Sequence, residues 1–185
     1  MDSLLLLLLT LFVSIFLPNS ELHQLLTALE PTPTPQVAVL GNATASADAA
    51  IVIRVIDGDT IELATGEKVR YIGIDTPETK APGKPIECYG PEASQKNIEL
   101  VEGKEVRLVK DVSDTDRYGR LLRYVYLPTE SSESTGIFVN EILVKEGFAH
   151  ASSYPPDIAQ QDILRAAEAE ARENNRGLWD KNVCQ

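Results

Sequence analysis

From Ile51 onward the apolar positions come in short runs, each halted by a turn signal. Ile51-Val52-Ile53-Arg54-Val55-Ile56 is a β-branched run stopped by Asp57-Gly58-Asp59, and Thr60-Ile61-Glu62-Leu63 resumes it, which predicts a hairpin. Thr65-Gly66-Glu67 makes the next turn. Lys68 to Ile74 alternates Val69, Tyr71 and Gly73 against Arg70, Ile72 and Ile74, a third strand that coils at Gly73. Pro77, Pro82, Gly83 and Pro85 make residues 75–89 a loop. Gly90-Pro91-Glu92-Ala93 opens a helix with proline in its first turn, running to Val101 and stopped by Gly103. Lys104–Lys110 and Arg120–Leu127 read as two more strands. Ile137–Glu146 reads as a second helix closed by Gly147, and Asp157–Asn175 as a third, capped by Asp157 and ended near Gly177. Leu164, Ala167 and Ala171 give that last helix an inward stripe, and Trp179 folds back as a plug.

The order β-β-β-α-β-β-α-α, with the first helix between strands three and four, predicts an α+β fold. Its architecture is a five-stranded Greek-key β-barrel of OB type with three packed helices.

Residues 1–50 follow other patterns. Leu4 to Leu17 is apolar except for Thr10 and Ser14, and Pro18-Asn19-Ser20 follows. That length suits the h-region of an export signal, whereas a membrane span wants roughly 20 apolar residues. Asp2 in place of a basic residue, and no small-x-small site directly after Leu17, leave an uncleaved anchor as the alternative. Either way the domain stands outside the cytoplasm, and membrane contact arises only if the segment is retained. Residues 21–50 hold Pro31, Pro33 and Pro35 and then an Ala/Ser/Thr/Asn mixture, the makeup of a tether. The folded domain is expected over 51–180, with 181–185 as a tail.

A length of 185 residues and 43% hydrophobic content suit one domain with appendages. The net charge of −11 works against holding nucleic acid by overall charge. Residues 1–50 carry four of the 28 acids and none of the 17 bases, so 24 acids against 17 bases leave −7 beyond Ala50. A phosphate substrate would need local positive charge from a cation or clustered arginines. Cys88 and Cys184, an even number in a chain read as exported, permit one disulfide, with two free thiols as the alternative.

Three stretches carry candidate chemistry: Ile-Asp-Gly-Asp-Thr at 56–60, Arg70 followed by Ile-Asp-Thr-Pro-Glu-Thr at 74–79, and Asp-Arg-Tyr-Gly-Arg at 116–120. Asp57 and Asp59 flank a turn glycine, and Asp75 ends another strand just before Thr76-Pro77. Carboxylates from two strand ends and the Thr76 carbonyl make an oxygen-only set, which selects calcium or magnesium over zinc. Glu78 lies within reach of a water near such a site and can orient or deprotonate it. Arg70 and Arg120 each offer a planar guanidinium that binds two phosphate oxygens at once. The competing reading makes them structural partners of Asp75 or Asp59.

These motifs, with Val-Arg-Tyr-Ile-Gly-Ile-Asp-Thr-Pro-Glu-Thr-Lys at 69–80, Tyr-Gly-Pro-Glu-Ala at 89–93, Val-Asn-Glu-Ile-Leu-Val-Lys-Glu-Gly-Phe-Ala at 139–149 and Gly-Leu-Trp at 177–179, resemble the staphylococcal-type nucleases, or thermonucleases. The resemblance implies an OB-fold enzyme that needs calcium and cleaves the 5′ P–O bond of DNA and RNA, leaving 3′-phosphate ends. It implies Asp59, Asp75 and the Thr76 carbonyl as calcium ligands, Asp57 as an acid behind the metal and Glu78 as the base. Arg70 and Arg120 would meet the phosphate and its transition state. Arg117 and Tyr118 match a basic-aromatic pair that contacts a terminal phosphate, with arginine where the family often has lysine. Where the family presents two tyrosines before a proline, Ser152-Ser153-Tyr154-Pro155 leaves Tyr154 alone, which weakens substrate binding more than chemistry. The expected partner is nucleic acid, single-stranded by preference, met by a monomer. A nuclease-like binding module without catalysis is the second reading, and the presence of Arg70, Glu78, Arg120, Asp59 and Asp75 argues against it.

Overall fold

The computed structural model describes residues 48–79, 83, 85–129 and 136–184; the expected leader and nearly all of the expected tether lie outside them. In chain order the elements are β1 (Asp48–Asp57), β2 (Thr60–Leu63), β3 (Lys68–Tyr71), β4 (Ile74–Asp75), α1 (Gly90–Val101), β5 (Glu105–Val109), β6 (Leu121–Leu127), β7 (Ile137–Phe138), α2 (Val139–Lys145), β8 (His150–Ala151) and α3 (Gln161–Glu173), followed by a 3-10 turn at Gly177–Trp179. Strands β3, β2, β1, β5 and β6 lie side by side in that order, and a parallel pairing of β3 with β6 closes them into the five-stranded barrel of an OB-type α+β fold. The other barrel pairings are antiparallel.

Period-two alternation sends Val52, Ile61, Val69, Tyr71, Val106 and Val125 into the barrel interior. Val101 from α1, Leu143 from α2 and Leu164 from α3 join that core. The stripe expected on α3 is the one it buries: Leu164, Ala167 and Ala171.

The structure departs from the periodicity at four places. Strand β1 begins at Asp48, ahead of the β-branched run, because main-chain pairing of Asp48–Ile51 with β5 asks little of the side chains. The third strand ends at Tyr71. Gly73 takes φ +79, and buried Asn140 accepts from Val125 N at 3.0 Å and donates to Ile72 O at 2.8 Å, turning the chain out of the barrel. Ile74-Asp75 then pairs with β8, Ile74 opposite Ala151 and Asp75 opposite His150. Ile137-Phe138, expected as the start of a helix, is instead strand β7 on β6, with Phe138 stacked on Tyr126 at 4.7 Å. Asp157, expected as the cap of the third helix, lies before it: α3 starts at Gln161, and Asp157 Oδ1 accepts from Val112 N at 3.0 Å and Ser113 N at 2.7 Å. Two amides of a neighbouring loop satisfy this buried carboxylate better than one helix N-terminus would. Trp179 packs edge-on to His150 with the Arg172 guanidinium 3.9 Å from its ring centre.

Candidate active site

The β2–β3 register sets Thr60 opposite Arg70, which brings the arginine beside Asp59 in the β1–β2 turn. Gly58 in that turn presses on the next loop: a Cβ there would fall 2.7 Å from Thr76 Oγ1. The close approach lets the Asp59 carboxylate, 6% exposed, meet Thr76. Asp59 Oδ2 accepts from Thr76 N and from Thr76 Oγ1, both at 3.0 Å, and Asp59 Oδ1 accepts from Thr60 Oγ1 at 3.1 Å.

Arg70 bridges two acids. Its Nη1 forms an ion pair with Asp59 Oδ2, and its Nη2 donates to Asp75 Oδ1 at 2.7 Å. The Nη1 group is buried and makes no aligned hydrogen bond. Burial pushes the Asp75 carboxyl above its ordinary value; Arg70 pulls it down only in part, and Asp59 adds to the upward push. Two carboxylates sharing one guanidinium are short of positive charge.

The second arginine is set by a turn. Asp116 Oδ1 accepts from Tyr118 N at 2.8 Å and Arg120 N at 3.0 Å, while Asp116 Oδ2 takes Arg120 Nε at 2.6 Å. Burial alone would raise Asp116, but the bonds from the Arg120 backbone and side chain and from Tyr118 N outweigh it and hold the carboxyl below its ordinary range. The guanidiniums of Arg117 and Arg120 lie 4.8 and 5.5 Å from the centre of the Tyr118 ring.

Arg70, Asp116, Arg117, Tyr118 and Arg120 face one cleft of about 460 Å³, with Leu122 and Tyr154 also in its walls; Asp59, Asp75 and Thr76 are not among its lining residues. Asp59, Arg70, Asp75 and Thr76 form one contact network, and Arg70 carries it into the cleft. Glu78 is not among the cleft-lining residues; it follows Thr76-Pro77, donates its amide to Glu87 Oε2 at 3.0 Å, and accepts from Thr79 N on Oε1 at 3.0 Å. Asp57 faces the same loop: its Oδ1 accepts from Thr79 Oγ1 at 2.8 Å, Ser94 Oγ at 3.2 Å and Gly58 N at 2.8 Å. Cys88 and Cys184 are joined by a disulfide with Cα atoms 5.8 Å apart.

Asp116, Asp157 and Glu87 were not singled out from sequence as site-building residues. For Asp116 a signal exists, an Asp three positions before Gly119, which is type I turn chemistry; Gly119 N donates to Asp116 O at 3.0 Å. Glu87 and Asp157 act across the chain, and no local pattern marks them.

Among the described residues no three of His, Cys, Asp and Glu stand together as a metal cage. Asp59, Asp75 and the Thr76 carbonyl are an all-oxygen set with coordination positions left over, which suits a hard cation that keeps water or substrate oxygens around it. The charge deficit at Asp59 and Asp75 is in the same sense. The residue types present fit a hard divalent cation such as calcium or magnesium.

The family model described as staphylococcal nuclease homologue matches residues 68–181. A thermonuclease of Staphylococcus hyicus is 41% identical over 131 residues, 69% of this chain and 73% of that protein. A thermonuclease of Staphylococcus intermedius is 39% identical over 134 residues, 71% and 76% of the two chains. The endonuclease YncB of Bacillus subtilis is 42% identical over 134 residues, 70% of this chain and 60% of that one. The family-model match runs from β3 to beyond the 3-10 turn and so includes the cleft residues and the three helices but not β1, β2 or Asp59; with the two thermonucleases it shows that the chain belongs to the staphylococcal nuclease family.

Proposed function

We propose that the protein is a calcium-dependent nuclease that hydrolyses phosphodiester bonds of DNA and RNA by attack of water, cleaving the 5′ P–O bond and leaving 3′-phosphate ends. One observation carries the reading: Arg70, bound to both Asp59 and Asp75, opens into the cleft that Arg117, Tyr118 and Arg120 also line. A phosphodiester in that cleft meets three guanidiniums, and the deficit of positive charge at Asp59 and Asp75 behind Arg70 suits a divalent ion. Asp59, Asp75 and the Thr76 carbonyl would hold calcium, which would supply positive charge to the phosphoryl oxygens. Glu78 orients the attacking water and accepts its proton as the oxygen bonds to phosphorus, and the 5′ oxygen departs with breakage of its P–O bond and takes a proton from solvent water. Arg70 offers its guanidinium to a phosphoryl oxygen, and Arg120, held by Asp116, donates to the charge that grows on the equatorial oxygens. Arg117 and Tyr118 hold a neighbouring phosphate, and Tyr154 offers its ring to a base. The apolar run Leu4–Leu17 supports export of a monomer that meets its substrate outside the cytoplasm.

The full chain is expected to digest single-stranded DNA and RNA with calcium, and to stop when the ion is chelated and restart when it is returned. Turnover that persists through chelation would remove calcium from the proposal. Products ending in 5′-phosphate would remove the assigned bond.

A further inference from the structure

The segment from Glu78 to Glu87 is closed at its base by reciprocal hydrogen bonds. Glu78 N donates to Glu87 Oε2 at 3.0 Å, and Glu87 N donates to Glu78 O at 2.9 Å. A carboxylate that takes up a main-chain amide sets the plane of that peptide, and with it the direction in which the side chain of the same residue leaves the backbone. Contacts on either side narrow the choice further. Thr79, next in the chain, is tied by its hydroxyl to Asp57 at 2.8 Å. Gly90 fits so closely beneath that a Cβ would fall 2.8 Å from Thr79 Cγ2, 3.0 Å from Pro77 O and 3.2 Å from Glu78 O. The far foot of the segment is pinned as well: Cys88 is bridged to Cys184, and Tyr89, at φ 69, stacks its ring on Phe148 with centroids 5.4 Å apart. A left-handed non-glycine residue beside a covalent bridge marks a backbone held by its surroundings.

We infer that Glu87 is a positioning residue for Glu78, with the Cys88–Cys184 bridge as the pin that keeps Glu87 in place. The inference rests on the reading of Glu78 as the base. Glu87 need not touch substrate; it fixes the peptide from which Glu78 reaches the water, and displacement of a reacting group by about 1 Å costs on the order of a hundredfold in rate.

The test compares the full-length wild type with E87A, E87D and E87Q, reading kcat and KM on single-stranded DNA with calcium, and the hydrogen exchange of the Glu78 amide by NMR. E87A removes the acceptor and E87D withdraws it by one methylene; both are expected to speed exchange at Glu78 and to lower kcat about tenfold or more, with KM little changed. E87Q keeps an oxygen at the same reach and is expected to retain both values. Wild-type exchange at Glu78 in E87A and E87D, unchanged kcat in both, or E87Q as impaired as E87A would each overturn the inference. The double variant C88S/C184S leaves Glu87 intact and is expected to shift kcat and exchange in the same direction; no shift overturns the part given to the bridge. If the wild type shows no calcium-dependent cleavage, the nuclease reading fails by itself, and exchange at Glu78 still decides whether Glu87 holds that peptide.

Discussion

Arg70 and Arg120 sit in opposite electrostatic settings, and each setting bears on its work. Arg70 is shared between two acids, so in the proposed function a phosphate competes with Asp59 and Asp75 for its guanidinium. Arg120 is held to Asp116 by a 2.6 Å bond and, in the same proposal, meets a phosphate already oriented. Replacing Arg120 by alanine or Glu78 by glutamine is expected to lower kcat by about 10²–10⁴ while circular dichroism shows the fold retained. Near-normal turnover in both variants would defeat these assignments. Asp116 also implies a pH dependence. Its folded pKa lies below the ordinary 3.8, so the stabilisation it lends is complete above that value and is lost as pH falls through the lower, folded value. Stability followed by denaturant titration is therefore expected to fall on the acid side below pH 3.8, and D116N should flatten that limb. Equal acid limbs in the two proteins would show that the Arg120 clamp does not couple to folding.

The turn out of β3 delivers Asp75 to the site, and Asn140 on α2 makes that turn possible by bonding Val125 N and Ile72 O at once. Replacing Asn140 by alanine leaves both groups buried and unpaired, and a loss of about 2–3 kcal/mol is expected from urea unfolding. Because Asp75 rides on the same turn, calcium binding should weaken in parallel; a destabilised variant with wild-type affinity for calcium would separate the two. The same place shows what could be read from the chain. Alternation and turn signals marked β2, α1, β6 and the buried stripe of α3, since these are decided by local preference and one-sided burial. Val69 to Ile74 alternates without interruption, so the break after Tyr71 was legible only as a coil at Gly73; the residue that completes it comes 68 positions later in the chain than Ile72. Ile137-Phe138 went the same way, carried into a strand by Phe138 against Tyr126 despite a helix-like run. Asp59, Arg70, Asp75 and Arg120 were legible as a group because each stands at a strand end or turn next to distinctive neighbours. The pairing of Arg70 with Asp59 and Asp75 was anticipated only as the competing structural reading, and that of Arg120 with Asp116 not at all, since ion pairs depend on side-chain reach and leave no periodic trace.

At the scale of the whole molecule the question is how an acidic protein takes up a polyanion. Beyond Ala50 the chain carries 24 acids against 17 bases, a net −7, so a nucleic acid approaching from a distance is repelled. Local attraction is offered by the cleft, which Arg70, Arg117 and Arg120 all line. Each phosphate neutralised on a single strand contributes about −0.7 to the slope of log affinity against log salt, so three contacts predict a slope of about −2. Monovalent salt also screens the distant repulsion, over a Debye length of about 10 Å at 0.1 M, and this makes the observed slope shallower still. Measurements of kcat/KM on a short single strand, with calcium held saturating and monovalent salt raised stepwise, are therefore expected to fall with a slope between about −2 and zero. A slope near −5 would require a basic track several phosphates longer than the cleft. That outcome would move substrate binding away from the three arginines and onto a surface that the acidic balance of this chain does not suggest.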